Sequence, residues 1–87
     1  MLDKKLYTEL ERELEKCRIE DAVEDVLLSL SEALEDKGAV GKEQTYQETQ
    51  GSTKLQITGI YEGEEGGVYI RTFSINGNEF AIEDYLL

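Results

Sequence analysis

The side chains in this chain with the most chemical potential are carboxylates. Glu20, Asp21, Glu24, Asp25, Glu32, Glu35 and Asp36 fall within residues 20–36, and no Lys or Arg occurs among them before Lys37. At helical periodicity they share one side of a wheel, with Ile19, Ala22, Val23, Val26, Leu27, Leu30, Ala33 and Leu34 on the other. The preceding stretch differs, because Lys4, Lys5, Arg12, Lys16 and Arg18 are interleaved with its acids and permit local pairing. Unpaired carboxylates so arranged have three chemical uses: holding a hard cation, moving protons, or presenting a negative surface.

The first two uses lack partners. Clusters 20–25 and 32–36 lie on one helix about 18 Å apart by helical rise, and no second acidic helix or calcium-type loop completes a cage. There is no His and only one Cys, so the commonest zinc ligand, the usual neutral-pH base and an internal disulfide are all missing. Cys17 lies on an apolar stripe and has no base partner, which fits a buried thiol better than a nucleophile. Gly38-Ala39-Val40-Gly41-Lys42-Glu43 resembles a phosphate loop only superficially. It lacks the four-residue gap and the Ser or Thr after Lys. We therefore expect no metal, no cofactor and no enzymatic activity.

The third use remains, in two versions. Acids at 20–36 either form a solvated face that keeps the chain soluble, or they steer a basic partner and select it. Leu28 lies inside the acidic stripe. In the docking version Glu20, Asp21, Glu24, Asp25 and Glu32 supply steering and Leu28 an apolar anchor of the kind found at interface centres. A net charge of −11, from 20 acidic and 9 basic residues, disfavours direct contact with nucleic acid or an anionic membrane. The expected function is a small non-enzymatic regulator or inhibitor that docks a basic protein, for example a nucleic-acid-handling protein or a toxin. One alternative is an assembly subunit that forms a homodimer or larger oligomer through the stripe Leu2, Leu6, Leu10, Leu14 and Cys17, or through an exposed sheet edge. A second is a small-ligand module using a cleft between helices and sheet.

The elements that must position these groups follow from composition. Eighty-seven residues suit a single domain, here 1–87. The two apolar stripes of the first third point in nearly opposite directions, so one straight helix cannot bury both. A break near Cys17-Arg18-Ile19-Glu20 gives helices at about 3–17 and 21–36. Asp21 followed by Glu24 suggests a capping box for the second helix, and Gly38 a C-terminal stop. Residues 38–52 form a polar connector in which Thr45–Thr49 is either an edge strand or linker. From Thr53 to Asp84 β-branched and aromatic residues predominate, with Asn76-Gly77 as a hairpin turn. That turn pairs Ile75 with Asn78, Phe73 with Phe80 and Arg71 with Ile82. It places Tyr69, Phe73, Ile75, Phe80 and Ile82 on the core face, with Arg71 among them. A bulge near Thr58-Gly59 is expected to bring Leu55, Ile57 and Ile60 inward together.

Glu62–Gly67 is expected to be a mobile hairpin loop, and Tyr85-Leu86-Leu87 the end of the last strand. The fold class is α+β, an N-terminal two-helix hairpin or elbow packed on one face of a three- to four-stranded antiparallel meander. The longest aliphatic run is Val26-Leu27-Leu28, too short for a membrane span or signal core. With one Cys, this points to the cytoplasm, in a prokaryotic or viral setting.

Overall fold

The computed structural model describes residues 3–86, with the backbone alone at Leu86. Leu2 and Leu87, invoked above for the apolar stripe and the chain end, lie outside the described residues. Two helices, α1 (Lys4–Lys16) and α2 (Val23–Asp36), precede four strands, β1 (Glu43–Gln50), β2 (Thr53–Tyr61), β3 (Val68–Ile75) and β4 (Asn78–Leu86). The strands form one antiparallel sheet in the order β1-β2-β3-β4. The helices pack on one face of it, so the chain is an α+β fold.

The expected break between helices is present, and its chemistry is specific. Asp3 caps α1, its carboxylate accepting from the Leu6 N–H at 3.4 Å. At the other end Arg18 takes a left-handed conformation (φ 61°). The Arg18 N–H then donates to the Glu15 carbonyl at 3.0 Å, and the Ile19 N–H to the Leu14 carbonyl at 2.9 Å. This pair of bonds is the Schellman closure, and the buried Leu14 and Ile19 make up the apolar pair that accompanies it. Arg18 occupies the position that glycine ordinarily fills.

The start of α2 corrects the sequence reading. Its N-cap is Ala22, in extended backbone and without a side-chain cap, so Asp21 and Glu24 do not form a capping box. Glu24 and Asp25 instead sit in the first turn, where the helix dipole favours negative charge. At the far end Gly38 (φ 76°) provides the expected left-handed stop.

The connector is shorter than expected, because β1 runs through Glu43–Gln50 and pairs with β2 residue for residue. Its inward side chains, Gln44, Tyr46, Glu48 and Gln50, are half-buried, while those on the other face are exposed. The predicted Asn76-Gly77 turn is present, with both residues at positive φ, and Ile75 pairs with Asn78 and Phe73 with Phe80. Asn76 also ties elements together. Its Oδ1 accepts from the Lys54 N–H at 2.9 Å, and its Nδ2 donates to Cys17 Sγ at 3.6 Å.

Beyond Phe73 the predicted register fails. Thr58 pairs with Thr72 but Gly59 with Ile70, so Arg71 is an extra residue bulged out of β3. On the β4 side Ile82 and Glu83 are skipped together with it, and Glu83 is left-handed (φ 49°). The bulge reverses which side chains point inward. Val68 and Ile70 join Phe73 and Ile75 in the core, and Tyr69 lies half-buried on the other face, ring centroid 5.0 Å from Tyr85. Ile60 pairs with Tyr69 and is half-buried instead of joining Leu55 and Ile57. Phe80 and Ile82 are partly buried against the core. Arg71 does not sit among inward aromatics: it is exposed and paired with Glu43, Nη1 to Oε2, at 2.8 Å.

Leu10, Leu14, Ile19, Val23, Val26, Leu27, Leu30 and Leu34 from the helical third form one buried cluster with Leu55, Ile57, Val68, Ile70, Phe73 and Ile75. Gly59 lets the β3 backbone come close at the bulge. A Cβ there would lie 2.5 Å from the Tyr69 carbonyl oxygen and 3.4 Å from Leu34 Cδ1. The loop 62–67 is closed by hydrogen bonds from the Glu62 N–H to the Gly67 carbonyl (2.9 Å) and from the Gly67 N–H to the Gly63 carbonyl (3.0 Å). None of the helices is long and apolar enough to cross a membrane, among the described residues.

Candidate docking face

Helix α2 presents the acidic surface because its apolar stripe is consumed by the sheet. With Val23, Val26, Leu27, Leu30 and Leu34 buried, helical geometry turns Glu24, Asp25, Glu32, Glu35 and Asp36 to solvent, and all five are exposed. Glu20 and Asp21 continue the surface around the elbow and are exposed too. Among the described residues the ion pairs are Lys16 with Glu13 (3.8 Å) and Arg71 with Glu43 (2.8 Å), and neither involves one of these seven acids. Their charge is therefore presented outward.

Leu28 is 43% exposed. On a helix its surface neighbours are Glu24 and Asp25 one turn before and Glu32 one turn after, so an apolar spot is bracketed by three carboxylates. Glu24, Asp25, Leu28 and Glu32 thus share the exposed side of α2, while Glu20 and Asp21 precede the helix at the elbow.

One carboxylate is held in position. The Tyr7 hydroxyl donates to Glu24 Oε1 at 2.6 Å. This bond lowers the Glu24 pKa, with help from a backbone hydrogen bond. It raises the Tyr7 phenol from its ordinary 10.0 to about 12, through the hydrogen bond first and then desolvation and the nearby acids. The bond therefore orients a carboxylate that is ionised at neutral pH in any case. The sequence offered little sign of this role, since Tyr7 reads as the flank of an apolar stripe.

The acids at the other end of α2 sit less favourably. Glu35 and Asp36 lie in the last turn, where backbone carbonyls already carry partial negative charge, and the one basic residue nearby is Lys37 at the C-cap. Glu35 also raises the Tyr61 phenol pKa, behind the larger effect of burial.

An open groove of about 680 Å³ follows the elbow, its walls including Glu11, Glu15, Glu20 and Asp21, with Arg18 the one cation. Glu11 and Glu15, on α1, were not among the predicted docking residues. They belong to this surface because the Schellman turn folds the end of α1 back beside the start of α2. No group of three His, Cys, Asp or Glu able to hold a metal ion occurs among the described residues.

The stripe proposed for oligomer formation is largely used within the chain. Leu10 and Leu14 are 0% and 1% exposed, while Leu6 and the free thiol Cys17 are half-buried against the same core. Of the two roles open to that stripe, packing inside the molecule accounts for Leu10 and Leu14.

Comparison with known proteins gave no match: no family model, no curated protein and no solved structure matches this chain.

Proposed function

We propose that this chain is a non-enzymatic protein-binding regulator or inhibitor that docks the α2 face onto a basic surface of its partner, for example a nucleic-acid-handling protein or a toxin. Glu20, Asp21, Glu24, Asp25 and Glu32 steer the encounter, and Leu28 enters the desolvated centre. The observation that carries this reading is Leu28 exposed amid carboxylates that form no ion pair among the described residues. A single exposed leucine is ordinary on a protein surface, and what favours docking is its position among carboxylates, two of which lie in the dipole-disfavoured last turn of α2. Carboxylates spaced along a helix also match, in charge, the phosphates that a nucleic-acid-binding surface recognises. The setting in this proposal is the cytoplasm of a prokaryotic cell or of an infected host.

The test is affinity capture from the native host with the wild-type chain, Leu28→Asp and the double variant Glu24→Lys/Asp25→Lys. The proposal expects a basic protein retained by the wild type, released at raised salt, and lost from both variants. Retention of the same protein by all three chains contradicts it.

A further inference from the structure

The edge of β1 is open in a way that the edge of β4 is not. Gln50 and Thr53 flank the two-residue loop Gly51-Ser52, and a turn of that length bonds the Thr53 N–H to the Gln50 carbonyl. Alternation along an antiparallel ladder then makes Glu48, Tyr46 and Gln44 the residues bonded to β2. The backbone N–H and C=O groups of Glu43, Thr45, Gln47 and Thr49 point away from the sheet. All eight residues of β1 pair one for one with β2 and no bulge interrupts them. The strand contains no Lys, Arg or Pro, and its one inward-pointing charge, Glu48, is a device that guards the edge against like charge but not against a cation. The β4 edge carries such a device, because its ladder is broken at Ile82 and Glu83.

We propose that the free edge of β1 receives an extended Lys- or Arg-rich segment of the partner as a fifth strand, an inference that rests on the basic-partner reading above. Charge selects this occupant. Glu48 lies on the helix side of β1, its two carboxylate oxygens held by the Tyr46 hydroxyl at 3.0 Å and Gln50 Nε2 at 2.8 Å, and it is in no ion pair among the described residues. Helix α2 packs across the sheet and touches β1 as well as β2, β3 and β4, so its acids stand over the sheet to which the open edge belongs. A second copy of this chain would bring another charge of −11 against that surface, whereas a basic strand neutralises it. Because strand side chains alternate, the cations of the incoming segment fall at every second position, on the helix side. Its other side chains lie beside Thr45, Gln47 and Thr49 and suit β-branched or polar residues.

The experiment uses the full ¹⁵N-labelled chain and two synthetic peptides of equal charge. One alternates Lys with Val and Thr; the other has the same sequence with alternate backbone nitrogens methylated, so that it cannot pair as a strand. The expected result is amide exchange slowed about tenfold or more at Thr45, Gln47 and Thr49 by the first peptide and not by the second. Gln47→Pro removes an outward N–H that the chain itself does not use and should abolish the slowing. Because proline can loosen a strand, Thr45→Lys/Thr49→Lys serves as a parallel variant that repels the peptide and leaves the backbone unchanged. Shifts confined to α2 with both peptides would overturn strand addition and leave the basic-partner reading standing. No response to either peptide would overturn both. Slowed exchange that appears without peptide and deepens with protein concentration would assign the edge to a second copy and overturn the proposal.

Discussion

The Tyr7 hydroxyl donates to Glu24 Oε1 at 2.6 Å, joining α1 to the first turn of α2 across the elbow. The bond links stability to pH at two ends. Glu24 is depressed in the folded state, so its contribution is present above the ordinary carboxylate pKa and is lost as pH falls through the lowered value. Tyr7 is raised to about 12, so its contribution is complete below the ordinary phenol pKa of 10.0 and is lost as pH rises through about 12. Tyr7→Phe should return the Glu24 pKa toward its ordinary value, read by NMR titration of the side-chain carboxyl carbon, and should lower the Tm at neutral pH. An unchanged Glu24 titration would show that the bond does not persist in solution.

Arg18 holds a left-handed conformation (φ 61°) that its Cβ disfavours. Arg18→Gly should relieve this strain while keeping both hydrogen bonds of the turn. A gain of about 1 kcal/mol in denaturant unfolding is expected, partly offset by the greater freedom of glycine in the unfolded chain. A loss of stability would mean that the arginine side chain contributes more than its backbone costs.

The Ser31 hydroxyl is buried in α2 at 3% exposure with no hydrogen-bond partner. Ser31→Ala removes an unsatisfied polar group and improves helix propensity. It should stabilise the fold by about 1–2 kcal/mol in chemical denaturation.

Gly59 faces the opposite outcome. The added Cβ of Gly59→Ala meets the Tyr69 carbonyl oxygen at 2.5 Å and Leu34 Cδ1 at 3.4 Å. The first is backbone, pinned beside the β3 bulge, and cannot yield cheaply. A loss of about 1–3 kcal/mol is expected, with the largest amide shifts in β3 near Tyr69 and in α2 near Leu34.

Much of this architecture can be read from residue patterns, and the failures have physical causes. The elbow is legible because Leu6, Leu10 and Leu14 face one way on a continuous wheel while Val23, Leu27 and Leu34 face the other. The Asn76-Gly77 hairpin is legible because both positions need positive φ. The phase of β3 is not. Val68, Tyr69 and Ile70 are all apolar or aromatic, so alternation leaves their inward side undecided, and the extra residue Arg71 reverses it. Ala22 as the N-cap is not legible because Asp21 and Glu24 have the better capping chemistry, and the helix nonetheless starts at the buried Val23. The acidic face of α2 is legible from helical periodicity alone. The part played by Tyr7 was hidden, because it depends on how two helices meet.

The most direct measurement for the docking proposal is the association rate constant of the captured partner across a salt series, for the wild type and for Glu24→Lys/Asp25→Lys. Steering by the α2 carboxylates predicts a rate that falls steeply as salt rises, and a double variant slower by about tenfold or more at low salt. A rate that is flat in salt and equal in the two proteins would contradict the account.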